Sequence, residues 1–142
     1  MATWKTVLVG VDGSVGSRKA LNWAAAEAAD HGADLVVVNV WERALPPAVG
    51  SVPTEDDADP GGESAAQELI QIIKEELGED PPVLAQPVVK HGRPAEVLIE
   101  QSTNANLLVV GTRGHGGFAG LVLGSVSQHV AAYAQCPVTV VR

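Results

Sequence analysis

The sequence predicts an α/β fold: a single open, parallel five-stranded sheet with helices on both faces. Three observations predict it. Short apolar, mostly β-branched runs recur along the 142 residues, at "TVLVGV" (6–11), "DLVVVNV" (34–40), "PVLAQPVV" (82–89), "NLLVVG" (106–111) and "PVTVV" (137–141). Between them lie segments with helical spacing, and strands that alternate with helices build a parallel sheet through right-handed crossovers. The second run is apolar enough to be covered on both faces, as a strand inside such a sheet must be.

The elements follow in order. After the first strand, "DGSVGS" has turn and helix-start chemistry, and "SRKALNWAAAEAAD" (17–30) is an alanine-rich helix that stops at His31-Gly32. The second strand runs into "WERALPPAVGSVPTEDDADPGG" (41–62), whose four prolines, three glycines and clustered acids read as a long surface loop. Ala66, Leu69, Ile70, Ile73 and Leu77 then keep helical spacing up to Gly78. In the third strand Pro87 cannot donate to a ladder, which argues for a sheet edge. "HGRPAEVLIEQST" (91–103) puts Pro94 at a helix start, the fourth strand follows, and residues 125–135 form the last helix before the closing strand. The whole chain, 1–142, reads as one domain with no internal repeat.

Composition narrows the function. Hydrophobic residues make up 46% but aromatics only 4%, so Ala, Val, Leu and Ile must build the core. The longest apolar runs are far too short to span a bilayer, no leader-like apolar segment follows Met1, and the single cysteine, Cys136, excludes an internal disulfide. A cytoplasmic, membrane-free setting is expected. Of seventeen acids, eleven lie in residues 42–80 beside only Arg43 and Lys74, so the net charge of −8 belongs to that segment. Nothing forms a basic stripe, and nucleic acid is not expected as a partner. The four histidines have no metal-ligand spacing, and His115 is either solvated or beside a ligand.

The chemistry concentrates in two places. In open parallel sheets, ligands bind outside the carboxyl ends of the strands where strand order reverses. Asp12, in "GVDGS" (10–14), ends the first strand, where it either caps the following helix or holds a ligand. The second place is "GTRGHGGFAGLVLGS" (111–125), six of whose fifteen residues are glycine. It joins a strand to a helix, and a helix N-terminus offers unpaired N–H groups and a positive dipole end to phosphate. Ser125 and Ser127 add hydroxyls, and Arg113 adds a permanent cation suited to phosphate oxygens.

Gly111, Gly114, Gly124 and Ser125 spell G-x2-G-x9-G-S. With "VGVDGS" near the start, "HGRP" before the third helix and "CPVTVV" at the end, the chain resembles the ATP-binding branch of the universal stress protein family over nearly its whole length. The resemblance implies strand order 3-2-1-4-5, in the manner of adenine nucleotide alpha hydrolases. It implies an adenine nucleotide partner, with ATP and Mg²⁺ as cofactors. Asp12 would then hold the ribose or adenosine end, Gly10 would lie beside the adenosine, and Val40 would meet adenine through its backbone. Gly111, Gly114 and Gly124 would let the chain wrap the phosphates. Arg113, Ser125 and Ser127 would contact them, with Val126 in the same ATP-binding set. A sheet-edge position for 137–141 implies a homodimer along that strand.

The resemblance favours a nucleotide-dependent regulatory module over an enzyme. There is no Walker-type G-x4-G-K-(S/T) and no evident general base for hydrolysis; a slow ATPase or a nucleotidyl- or phosphoryl-transfer enzyme is the alternative. A phosphorylatable receiver domain is disfavoured, because Lys90 stands where an acid would end the third strand.

Overall fold

Strand β1 (Thr6–Gly10) is buried through Val7, Leu8 and Val9, and it lies at the centre of the sheet. The computed structural model describes residues 3–42, 62–112 and 123–142. Among these the elements continue as α1 (Val15–His31), β2 (Asp34–Trp41), α2 (Gly62–Leu77), β3 (Ala85–His91), α3 (Pro94–Ser102), β4 (Leu107–Gly111), α4 (Ser125–Tyr133) and β5 (Val138–Val141). All pairings are parallel, and the order is β3-β2-β1-β4-β5, as expected. The long loop expected over 41–62 lies outside the described residues except at its ends, where Trp41 closes β2 and Gly62 opens α2.

The pleat divides the core in two. Val7, Val9, Leu35, Val37, Leu107 and Val109 meet α1 and α2 on one face. Leu8, Val38, Leu108 and Val110 meet Ala95 and Leu98 of α3 and Val130 of α4 on the other. Alanines dominate the buried side of α1 (Ala20, Ala24, Ala25 and Ala28), so this helix can lie close to the sheet.

Several element boundaries differ from the sequence reading. Helix α1 begins at Val15, two residues earlier than expected, because Ser14 is its N-cap: the Ser14 hydroxyl accepts from Ser17 N. Strand β3 starts three residues later than expected and runs on to His91, because its ladder with β2 continues through Val40↔Lys90 and Trp41↔His91. Pro87 sits on an edge strand, as its missing N–H required. In α2, Ile72 is buried and Ile70 is exposed, the reverse of the spacing argument, because the helix turns Leu69, Ile72 and Ile73 to the sheet. Tyr133 is 63% exposed and makes an edge contact with His129. Cys136 is half-buried against the second core cluster, and burial pushes its thiol pKa up, which suits a packed thiol better than a nucleophile. Among the described residues, no helix is long and apolar enough to cross a membrane.

Candidate functional site

The two central strands part company at their carboxyl ends. β1 and β4 pair only from Val7↔Leu107 to Val9↔Val109. Beyond that point β1 stays with β2, through Gly10↔Val38 and a 2.9 Å bond from Val11 N to Val38 O. β4 instead stays with β5, through Gly111↔Val141 and a 3.1 Å bond from Thr112 N to Val141 O. The chain moves from β1 out to β3 on one side and from β4 to β5 on the other, so this fork is the switch point where open α/β sheets take their ligands.

One arm of the fork carries Asp12. Its Oδ1 accepts from Ser14 N at 2.9 Å and from the Ser14 hydroxyl at 2.5 Å, and its own N–H donates to Ser17 Oγ at 3.2 Å. Gly13 follows with φ 87°, a left-handed conformation that an L side chain resists, so glycine is required for the turn. Asp12 thus belongs to the capping arrangement of α1, while its place at the end of β1 also sets it at the fork.

Two side chains that the sequence reading passed over hold this turn. Asn39 Nδ2 donates to Val11 O at 2.8 Å from the neighbouring strand. Arg18 Nε donates to Gly13 O at 3.2 Å, while its Nη1 reaches Glu75 Oε2 at 2.8 Å and Glu76 Oε1 at 3.3 Å on α2. Hydrogen bonds from Arg18 and then Gln71 hold the Glu75 carboxyl below the usual carboxylate range, and the pair of acids raises Arg18 in turn. A signal for Asn39 existed: it is the one amide within "LVVVNV", where an apolar residue would fill a buried strand. For Arg18 there was none, because its partners lie 57 and 58 residues away.

The other arm carries the glycine motif. A Cβ built on Gly111 would stand 2.8 Å from both C and O of Gly16 and 3.2 Å from Ser17 N, so β4 touches the first turn of α1 backbone to backbone. That contact brings the motif's first glycine against the helix that Asp12 helps to cap. Thr112 O then accepts from Gly124 N at 2.5 Å and from Ser127 Oγ at 2.7 Å, which draws the start of α4 to the end of β4. The Ser127 hydroxyl, expected to face a phosphate, is turned inward: Ser127 is buried and also donates to Gly124 O at 3.1 Å. Ser125 is exposed at the first helical position, and the Val126 side chain packs on the second core cluster. The N-cap of α4 is Gly124, which has no side chain to cap the helix, and the first turn carries no acid, so nothing in the helix itself offsets its positive dipole end. Helix α1, by contrast, is capped by its own Ser14.

Two further expected residues stand on the same end of the sheet. Val38 O faces β1, and the two-residue period of the strand turns the backbone of Val40 the same way, just past the end of that ladder. A side chain at Gly10 would meet Leu98 Cδ1 at 3.0 Å, so the neighbour that crowds this position is α3. The structure therefore gathers Gly10, Asp12, Val40, Gly111, Gly124, Ser125, Val126 and Ser127 around one fork. Arg113, Gly114 and His115 lie outside the described residues. No cluster of three or more metal-ligating side chains occurs among the described residues.

A family model for the universal stress protein family matches residues 3–142. A universal stress protein of Mycolicibacterium smegmatis is 40% identical over 138 residues, which cover 96% of this chain and 45% of that protein. A universal stress protein of Thermus aquaticus is 36% identical over 145 residues, covering 98% of this chain and 99% of its own length. The chain thus spans less than half of its mycobacterial relative and nearly all of its Thermus relative. A crystal structure of a universal stress protein in complex with cAMP is 26% identical, with a TM-score of 0.73, and covers 99% of this chain and 98% of its own. Family match, sequence identity and strand order agree: this chain belongs to the universal stress protein family.

Proposed function

We propose that this chain is an ATP-binding universal stress protein whose bound nucleotide sets its regulatory state, with little or no turnover of its own. The observation that carries the reading is the fork itself: β1 and β4 separate at their carboxyl ends, and α4 starts beside the end of β4 at Gly124, a cap residue without a side chain. The arrangement suits a ligand with an anionic end and a polar ring end. Phosphates would take the N–H groups of Ser125, Val126 and Ser127, with Arg113 and the backbone of Gly111, Gly114 and Gly124 beside them. Asp12 would hold the ribose, and the Val40 backbone would meet the adenine edge. The cAMP complex of a similar protein at 26% identity supports an adenine nucleotide as the class of ligand. Mg²⁺ would be expected to enter with the nucleotide's phosphates and to neutralise part of their charge.

The same preparation tests binding and turnover. A mass spectrum of the small molecules released on denaturing freshly purified protein should show an adenine nucleotide, and titration calorimetry should give micromolar or tighter ATP binding with Mg²⁺ present. Hydrolysis needs a positioned base or water-orienting group besides charge stabilisation. Only His115, in a glycine-flanked segment, is offered for that role, so turnover should stay far below ~1 s⁻¹. Absence of any bound or titratable adenine nucleotide would remove this reading. Fast turnover lost in His115→Ala with binding intact would replace the regulator with an enzyme.

The assembly we propose is a homodimer along β5. This strand closes the sheet order, so no strand among the described residues pairs with its outer backbone edge. Its side chains are partly buried on both faces of its own domain, so removing it would strip the core as well as the edge. Thr139→Lys is the cleaner test. Light scattering at tens of micromolar should give a dimeric mass for the wild type and a shift toward monomer for the variant. A monomeric wild type would exclude the interface.

A further inference from the structure

The turn that carries Asp12 is gripped from both sides: Asn39 holds Val11 O and Arg18 holds Gly13 O. The second grip does not end there. The same guanidinium that donates from Nε to Gly13 donates from Nη1 to Glu75 and Glu76 in the last turns of α2. Asn22, one turn further along α1, binds Arg18 O at 3.0 Å and Glu76 Oε2 at 2.7 Å, so the two carboxylates are held as well as holding. A planar fork with separate donor edges can serve both partners at once; an ammonium on a flexible stem cannot keep that geometry.

We propose that Arg18 is a positioning residue for the Asp12 turn, tying the placement of α2 to the affinity of the nucleotide site. This rests on the reading of the fork as that site. Arg18 touches no ligand in this account: it fixes the Gly13 carbonyl, which fixes the turn, which aims Asp12. Residues 43–61 lead directly into α2 in the chain, so a displacement of α2 has a direct route to the Gly13 carbonyl through this guanidinium.

Charge and position predict opposite signs for one variant. Glu75→Gln with Glu76→Gln removes two negative charges, which by electrostatics alone should strengthen binding of an anionic ligand. If the acids act by holding Arg18, binding weakens instead. The test is calorimetry of the intact protein with ATP and with adenosine. Arg18→Lys, which keeps the charge, should weaken both ligands alike by about three- to tenfold. The double glutamine variant should weaken them in the same direction, and the effect of Arg18→Lys should vanish in an Asp12→Asn background. Unchanged affinity in Arg18→Lys, or tighter ATP binding in the double variant, would overturn the proposal. Amide hydrogen exchange without ligand decides it separately. In Arg18→Lys the Asp12 and Ser14 amides should exchange faster while those of Leu35 and Val37 do not change. If the wild type binds neither ATP nor adenosine, the nucleotide reading falls and this exchange result alone upholds or rejects the positioning role.

Discussion

Gly111→Ala is expected to lower stability by about 3 kcal/mol, near the top of the usual cost of overpacking a core. The added methyl would sit 2.8 Å from Gly16 C and O, and both are backbone atoms of a helix pinned by Ser14 and Arg18. No rotamer change relieves such a contact, so either β4 or the first turn of α1 must move. For a domain of this size the melting temperature should fall by roughly 10 °C. Nucleotide affinity should fall with it, since the contact joins the two arms of the fork. Gly10→Ala is the control, one strand away. Its methyl would meet Leu98 Cδ1 at 3.0 Å, the far end of a side chain that can yield, and the cost should stay under about 1 kcal/mol. Equal melting temperatures for wild type and Gly111→Ala would show that the close approach does not constrain the fold.

Gly114→Asp should abolish ATP binding while leaving the fold intact. Gly114 is the second glycine of the G-x2-G-x9-G-S spacing, and in the chain it lies between Thr112 at the end of β4 and Gly124 at the start of α4. A carboxylate placed about 4 Å from a phosphate oxygen, at an effective dielectric of about 20, costs on the order of 4 kcal/mol. That corresponds to roughly a thousandfold in affinity. Thermal denaturation without ligand should be unchanged, and the ATP-induced rise in melting temperature should be lost. Gly114→Ala separates charge from bulk and should retain part of the rise. A wild-type rise in Gly114→Asp would mean that the spacing does not describe the phosphate site.

The sheet was legible because its signals are local. Alternating element types, a proline that cannot sit inside a ladder and apolar runs on the central strands led to the observed order. Strand ends were less so: Lys90 and His91 look polar enough to end a strand, yet they pair with Val40 and Trp41 across the ladder. Of the candidate site, the positions that local sequence fixes were legible: Asp12 does stand at the end of β1, and Gly111 and Gly124 at the end of β4 and the start of α4. The site was illegible where a side chain answers to a distant partner. Ser127 looks like a phosphate donor on the first turn of a helix, but its hydroxyl is spent on Thr112 O, fifteen residues back. Asn39 and Arg18 reach across 28 and more residues, and no periodicity encodes such a reach.

Ser127 has a consequence for how this site can change. Its buried hydroxyl and the Gly124 N–H both close on Thr112 O, so the two ends of the glycine segment are fastened together by the protein itself. The entropy of bringing those ends together is met on folding, and lengthening the connection between them adds only slowly to that cost, as the logarithm of its length. The clasp therefore belongs to Thr112, Gly124 and Ser127 alone, and a change in the sequence that connects them is expected to leave the end of β4 and the start of α4 fastened together.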